Sequence, residues 1–207
     1  MAKGSKKEGG GIGELLAYAG DRKFLTYLGM ALSAFSQLLS FGPYVCIWLV
    51  ARDLIAVAPN WSEAADIAMY GWWAVGFALA SIVVYFVGLM CTHLSAFRCA
   101  SNIRKATSEH LLKLPLGYFD THATGELRRI VDGCAASTET LLAHMLPDIA
   151  GATAMVVGLL VLLFALDWRL GAACLISVVI SFGAMATMMS GKGGEFMKAY
   201  MGALVKM

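Results

Sequence analysis

Four apolar runs, at 24–50, 67–97, 149–166 and 170–190, constrain this chain more than any other feature. Each is at or near the ~20 residues a helix needs to cross ~30 Å of hydrocarbon at 1.5 Å per residue. Composition points the same way, with 59% hydrophobic and 14% charged residues. A soluble domain carries roughly 25% charged and ~45–50% apolar residues. A chain of 207 residues has too little core to hide so much apolar surface, so much of it must face lipid. The expected fold class is an all-α membrane protein with about four transmembrane helices that extend into the cytoplasm.

Flanking charges set the expected path through the bilayer. Lys3, Lys6, Lys7, Arg22 and Lys23 precede the first run and mark a cytoplasmic N-terminus. The 51–66 connection holds Arg52 against Asp53, Glu63 and Asp66, as an outer loop should. Arg98, Arg104, Lys105, Lys113, Arg128 and Arg129 return the chain to the inside. The third and fourth runs are joined by the tight Asp167-Trp168-Arg169 turn, and Lys192, Lys198 and Lys206 follow the fourth. A multi-pass protein of the cell inner (plasma) membrane, running in–out–in–out–in, satisfies every loop.

Several chemistries are disfavoured. A net charge of +2 without a basic stripe and interleaved aromatics gives no case for nucleic acid. Cys46, Cys91, Cys99, Cys134 and Cys174 form no CxxC pair, and most fall in or beside apolar runs, where cysteine acts as a small hydrophobe. His93, His110, His122 and His144 lack metal-ligand spacing. No nucleophile–base set or acid–base pair shares a membrane-depth face, which argues against a membrane-embedded enzyme.

Two features go beyond a plain bundle. Residues 1–12, rich in Lys and Gly, read as a disordered cytoplasmic terminus, whereas Ile12, Leu15, Leu16 and Ala19 repeat at helical spacing. They predict an amphipathic elbow helix over 13–23, lying in the inner interface. The connection over 98–148 is long and helical at both ends. Ile103, Ala106, His110 and Leu114 mark one helix, and Leu127, Ile130, Cys134, Leu141 and Met145 the other. Pro115 and Gly117 interrupt the pattern between them. Thr124 is the expected N-cap of the second helix, with Glu126 in its first turn. Such an arm, projecting from the membrane, needs something to touch.

The stretch Leu114-Pro115-Leu116-Gly117-Tyr118-Phe119-Asp120-Thr121-His122-Ala123-Thr124-Gly125-Glu126-Leu127, followed by Arg128, Arg129 and Asp132, resembles the first intracellular loop of ABC exporter-type transmembrane domains. Eight or nine positions match that family's pattern in register. Pro43, Arg52-Asp53 and the Asp167-Trp168-Arg169 turn agree, and the resemblance covers 13–207. Gly71-Trp72-Trp73 and Met90-Cys91-Thr92-His93 look most like a bacterial siderophore-associated branch.

The resemblance implies an ATP-driven transporter working by alternating access. Its partners would be the lipid bilayer, nucleotide-binding domains, a second transporter half and an unidentified substrate. Pro115, Tyr118, Phe119, Asp120, Thr124, Gly125 and Glu126 would form the coupling helix and its contacts, with Tyr118 and Phe119 as the apolar anchor. The simpler alternative is a turn in which Phe119 packs locally. The family has six spans and usually a fused nucleotide-binding domain, so this sequence reads as an incomplete membrane domain. Gly191-Lys192-Gly193 is a near miss to a Walker A loop that lacks the earlier Gly and the following Ser or Thr. Cofactors are therefore expected to be none in this chain, with ATP and Mg in the nucleotide-binding domains of the complete transporter. The alternative function is a stand-alone four-span scaffold or sensor with a cytoplasmic partner-binding arm.

Within the spans, Ser33, Ser36, Gln37 and Ser40 recur at i, i+3, i+4 and i+7, and Tyr44 continues the face. Polar groups at membrane depth bond to a neighbouring helix or line a water-filled cavity. Both readings stay open for this stripe. His144 and Asp148 are i, i+4 neighbours, and intramembrane ionisable groups are functional suspects. Asp148 lies 18 residues before Leu166, about 27 Å of helix rise, which places it near the headgroups as part of a solvated pair.

Overall fold

A computed structural model describes residues 11–61 and 66–206. The expected disordered segment 1–12 lies almost wholly outside them. The described chain is helical and contains no strand. Four helical stretches, Gly11–Val57, Ile67–Leu111, Thr124–Leu166 and Trp168–Met188, are long and apolar enough to cross a membrane.

Helix α1 (Gly11–Ala19) ends where Gly20 takes φ of +60°, a left-handed conformation that glycine adopts without a Cβ clash. A single 3-10 turn (Gly20–Arg22) then leads into α2 (Lys23–Leu39). The first apolar run is not one unbroken helix. Pro43 has no N–H to give the Leu39 carbonyl, so the helix closes at Ser40–Phe41 and restarts as α3 (Gly42–Val57). The Ser40 hydroxyl donates to the Gln37 carbonyl (2.6 Å) beside this break.

Helix α4 (Ile67–Leu111) has 45 residues, about 68 Å of rise, far more than ~30 Å of hydrocarbon requires. Its last third, from Arg98 onward, is charged and belongs outside the hydrocarbon. A short helix α5 (Gly117–Thr121) follows, then α6 (Thr124–Thr140), a wide π turn (Leu141–Met145) and α7 (Leu146–Leu166). Thr124 is the first helical residue rather than the cap. Extended Ala123 holds the cap position, and its carbonyl accepts from the N–H groups of Glu126 (3.0 Å) and Leu127 (3.1 Å).

Pro147 accounts for the π turn. It offers no N–H to the carbonyls one turn earlier, so the helix widens and the Leu146 N–H bonds back to Leu141. The Thr92 hydroxyl of α4 reaches the freed Ala143 carbonyl at 3.1 Å, sharing its one hydrogen with the Leu89 carbonyl of its own helix (2.9 Å). The Pro147 carbonyl in turn accepts from the Ser33 hydroxyl of α2 (2.8 Å).

These bonds lie on a seam of small residues. A Cβ on Gly29 would stand 2.7 Å from the Gly88 carbonyl oxygen and against Thr92, so α2 and α4 approach backbone to backbone. Thr26 donates to Ser95 (2.7 Å), and Ser95 donates to the Arg22 carbonyl (3.1 Å). Leu16 and Ala19 of α1 pack with Ala96, Cys99, Leu142, Ala143 and Leu146. Part of the α1 face expected to meet lipid is thus buried against protein. Asn102 fixes the end of α1 by donating to the Tyr18 carbonyl (2.7 Å).

Residues 156–207 form a second compact unit. Within it Asp167 caps α8 (Trp168–Met189), its carboxylate accepting from the Arg169 N–H at 2.8 Å. Gly191, with φ of +61°, turns the chain into α9 (Lys192–Lys206), so the tail read from sequence only as a cationic flank is helical.

Candidate functional site

The charged end of α4, α5 and the start of α6 make a helical arm with α5 across its tip. Leu111 and Leu112 end α4, Pro115 accepts from the Tyr118 N–H (2.9 Å), and Leu116 accepts from the Phe119 N–H (2.9 Å). Those bonds set the transverse turn that Pro115 and Gly117 announce. Asp132 ties the two sides of the arm together. One of its oxygens lies 3.4 Å from Arg104 of α4 and the other 3.6 Å from Arg128, one turn earlier on α6.

Phe119 is half-buried and lines a cleft of about 390 Å³ with Ser108, Leu111, Leu127 and Val131. It therefore packs between the sides of the arm. Tyr118 lies edge-on to Phe119 (5.7 Å between ring centroids) and stacks on His122 (4.2 Å). Pro115, Asp120, Gly125 and Glu126 are exposed, and Thr124 borders the cleft. The outward apolar groups at the tip are ones that sequence reasoning missed. Leu112 and Leu116 are 86% and 87% exposed. Leu116 directly follows Pro115, which was the available signal, because it cannot continue a buried helical face there; Leu112, three residues before the proline, carried none.

The polar stripe of the first span divides. Ser33 and Ser36 are buried, Ser33 against Pro147 and Ser36 bonded back to the Ser33 carbonyl (2.7 Å). Gln37 and Ser40 instead line a groove of about 200 Å³ with Ser36, Ser81, Ile82 and Tyr85. Tyr44 lies past the Pro43 break and is 65% exposed. One turn before Asp148, His144 meets His93 of α4 edge-on at 4.8 Å. Asp148 and His144 are both exposed.

Four membrane-length helices, with a charged helical arm between the second and the third, are the parts of a multi-pass membrane domain. The ABC transporter transmembrane region family matches residues 25–193, and the chain belongs to that family. It is a multi-pass membrane protein. Among its relatives is the mycobactin import ATP-binding/permease protein IrtA of Mycolicibacterium smegmatis, 29% identical over 161 residues, or 76% of this chain and 18% of the relative. The protein of the same name from Mycobacterium tuberculosis is 28% identical over 142 residues, 69% of this chain and 16% of the relative. The ATP-dependent lipid A-core flippase of Photobacterium profundum is 27% identical over 125 residues, 58% of this chain and 21% of the relative. The chain spans about a fifth of the length of these curated relatives. The import proteins agree with the siderophore-associated branch that the sequence resembles.

Proposed function

We propose that this chain is the transmembrane portion of an ATP-driven transporter that moves its substrate by alternating access. Nucleotide-binding domains, holding ATP and Mg, would close on ATP binding and push the arm through α5. The membrane helices would rock in response, and a second transporter half would complete the path. The elbow over 13–23, the spans and the intracellular loop over 98–148 would take their family places, in the inner membrane with the N-terminus in the cytoplasm. The relatives' names give mycobactin import and lipid flipping. A substrate with an apolar body that can enter from lipid fits both kinds of relative and the open groove beside α2.

The observation that carries this reading is the exposed pair Leu112 and Leu116 just before the transverse helix at the arm's tip. In water two leucines so exposed mark a protein-binding surface. They would be the apolar anchor, with Tyr118 and Asp120 beside them and Phe119 stiffening the tip from within. The test is Leu116→Ser combined with Asp120→Asn in the full-length protein. ATP should still bind, while ATP-driven transport into proteoliposomes falls at least about tenfold, the scale of losing a buried anchor at an interface. Transport at the unmodified rate would rule the coupling reading out.

A further inference from the structure

The two sides of the arm enter the membrane differently. Helix α4 is unbroken over 45 residues and runs from the seam into the arm as one rod. The other side is jointed, because α6 meets α7 through the π turn that Pro147 imposes. Different partners hold the joint. On the α7 side, the Pro147 carbonyl accepts from Ser33 (2.8 Å), and a Cβ on Gly151 would stand 2.9 Å from the Ser33 hydroxyl oxygen, so α7 is fixed to α2. Within the turn, Thr92 of α4 reaches the Ala143 carbonyl (3.1 Å), and the next residue of each segment, His93 and His144, meet edge-on at 4.8 Å.

Thr92 has one hydrogen and two acceptors in reach, Ala143 in the turn and Leu89 in its own helix (2.9 Å). Turning the hydroxyl wholly to Leu89 satisfies Thr92 and frees Ala143. Thr92, Leu142, Ala143 and Pro147 are all fully buried, so water does not replace the lost donor. The freed arrangement is therefore the less stable one, by about one buried hydrogen bond, a gap of the size that separates two conformations of one protein. We propose that the π turn is a hinge between the arm and the membrane, and that the Thr92 hydroxyl is its latch. With the hydroxyl on Ala143, the turn is held to the α4 rod. With it on Leu89, α6 is free to shift along α4 while Ser33 keeps α7 on α2. This device serves the transporter reading above and rests on it, since a push on α5 would travel up α4 and open the turn. Thr92 is a positioning residue that acts through the backbone of the turn.

Amide hydrogen exchange over 141–149, in the full-length protein in phosphatidylcholine nanodiscs, reads the latch first without nucleotide. Thr92→Val keeps the size of the side chain and removes the hydrogen, and it should speed exchange there about tenfold, the effect of losing one buried hydrogen bond. Thr92→Ser keeps the hydroxyl and should exchange at the parent rate, which lost packing would not allow, because serine is the smaller side chain. Pro147→Ala returns a backbone N–H to Ala143 and should slow exchange below the parent rate. ATP with vanadate should speed exchange over 141–149 in the parent and leave Pro147→Ala unchanged. Parent-like exchange in Thr92→Val or in Pro147→Ala would overturn the latch, as would a rise in Thr92→Ser equal to that in Thr92→Val. Exchange that ignores ATP in the unmodified protein would overturn the hinge. The nucleotide-free comparison needs neither ATP nor transport, so its failure is told apart from failure of the coupling test at Leu116 and Asp120.

Discussion

The seam between α2, α4 and the π turn and the tip of the arm make opposite use of side chains. At the seam glycine, serine, threonine and alanine make the close backbone contacts, with Leu142 and Leu146 buried beside them, and among the described residues no buried side-chain nitrogen or oxygen lacks a partner. At the tip, leucines stand in the open. The difference follows from the solvent each region meets. Lipid tails are as apolar as leucine, so helices in a membrane gain little by burying it and associate through close backbone contact and interhelical hydrogen bonds. In water an exposed leucine is not matched by its solvent, and under the proposed function a nucleotide-binding domain would cover it. Small polar residues hold the seam, and large apolar ones advertise the tip.

The largest effect should come from filling the seam. Gly29→Leu pushes side-chain atoms into the Gly88 carbonyl and Thr92, where both neighbours are helix backbone or fixed side chain. Overpacking of this kind should cost about 3 kcal/mol or more. Thermal unfolding in detergent should show it as a lost or strongly lowered transition. Normal stability in that variant would break the claim that α2 and α4 meet at this glycine.

Next comes the hydroxyl that repairs the proline. Thr92→Val leaves the Ala143 carbonyl without its donor and should cost about 1–2 kcal/mol. Restoring the backbone N–H with Pro147→Ala should make the same threonine change nearly neutral. A double-mutant cycle reads the difference, and an interaction energy near zero would separate the threonine from the proline. Smaller still is the arm's surface ion pair. Asp132→Asn should cost about 0–1 kcal/mol and less at high salt, because Arg104 and Asp132 are both well exposed.

The sequence carried the long features well, because a membrane imposes length and polarity that composition cannot disguise. The four apolar stretches, the helical arm and its transverse tip were all legible in hydropathy, in Pro115 and Gly117, and in the family motif. Register was less so. The polar stripe of the first span looked uniform at i, i+3, i+4 and i+7, yet Ser33 is buried at the seam while Ser36, Gln37 and Ser40 border the groove. Periodicity places residues on a face but does not say which neighbour covers which part of it. The Ser40–Phe41 break and the π turn had a local cause in view, Pro43 and Pro147, whereas the donor from Thr92 lies 51 positions away. Ala123 rather than Thr124 at the cap reflects a boundary uncertainty of one residue, decided by backbone angles that the sequence does not display.

The finest test of the comparison lies within α5 and the residue before it. Leu116 and Phe119 are three positions apart and equally apolar, but one is 87% exposed and the other lines the arm's cleft. Phe119→Ala removes packing against Leu111, Leu127 and Val131 and should cost about 1–2 kcal/mol, less than a full core truncation because the ring is only half-buried. Leu116→Ser touches nothing in the chain and should stay within about 0.5 kcal/mol of the parent. Amide hydrogen exchange over 105–131 measures both, with faster exchange expected for Phe119→Ala and an unchanged profile for Leu116→Ser. If Leu116→Ser loosens the arm as much as Phe119→Ala does, the leucine belongs to the arm's own packing and the tip has no surface held in reserve.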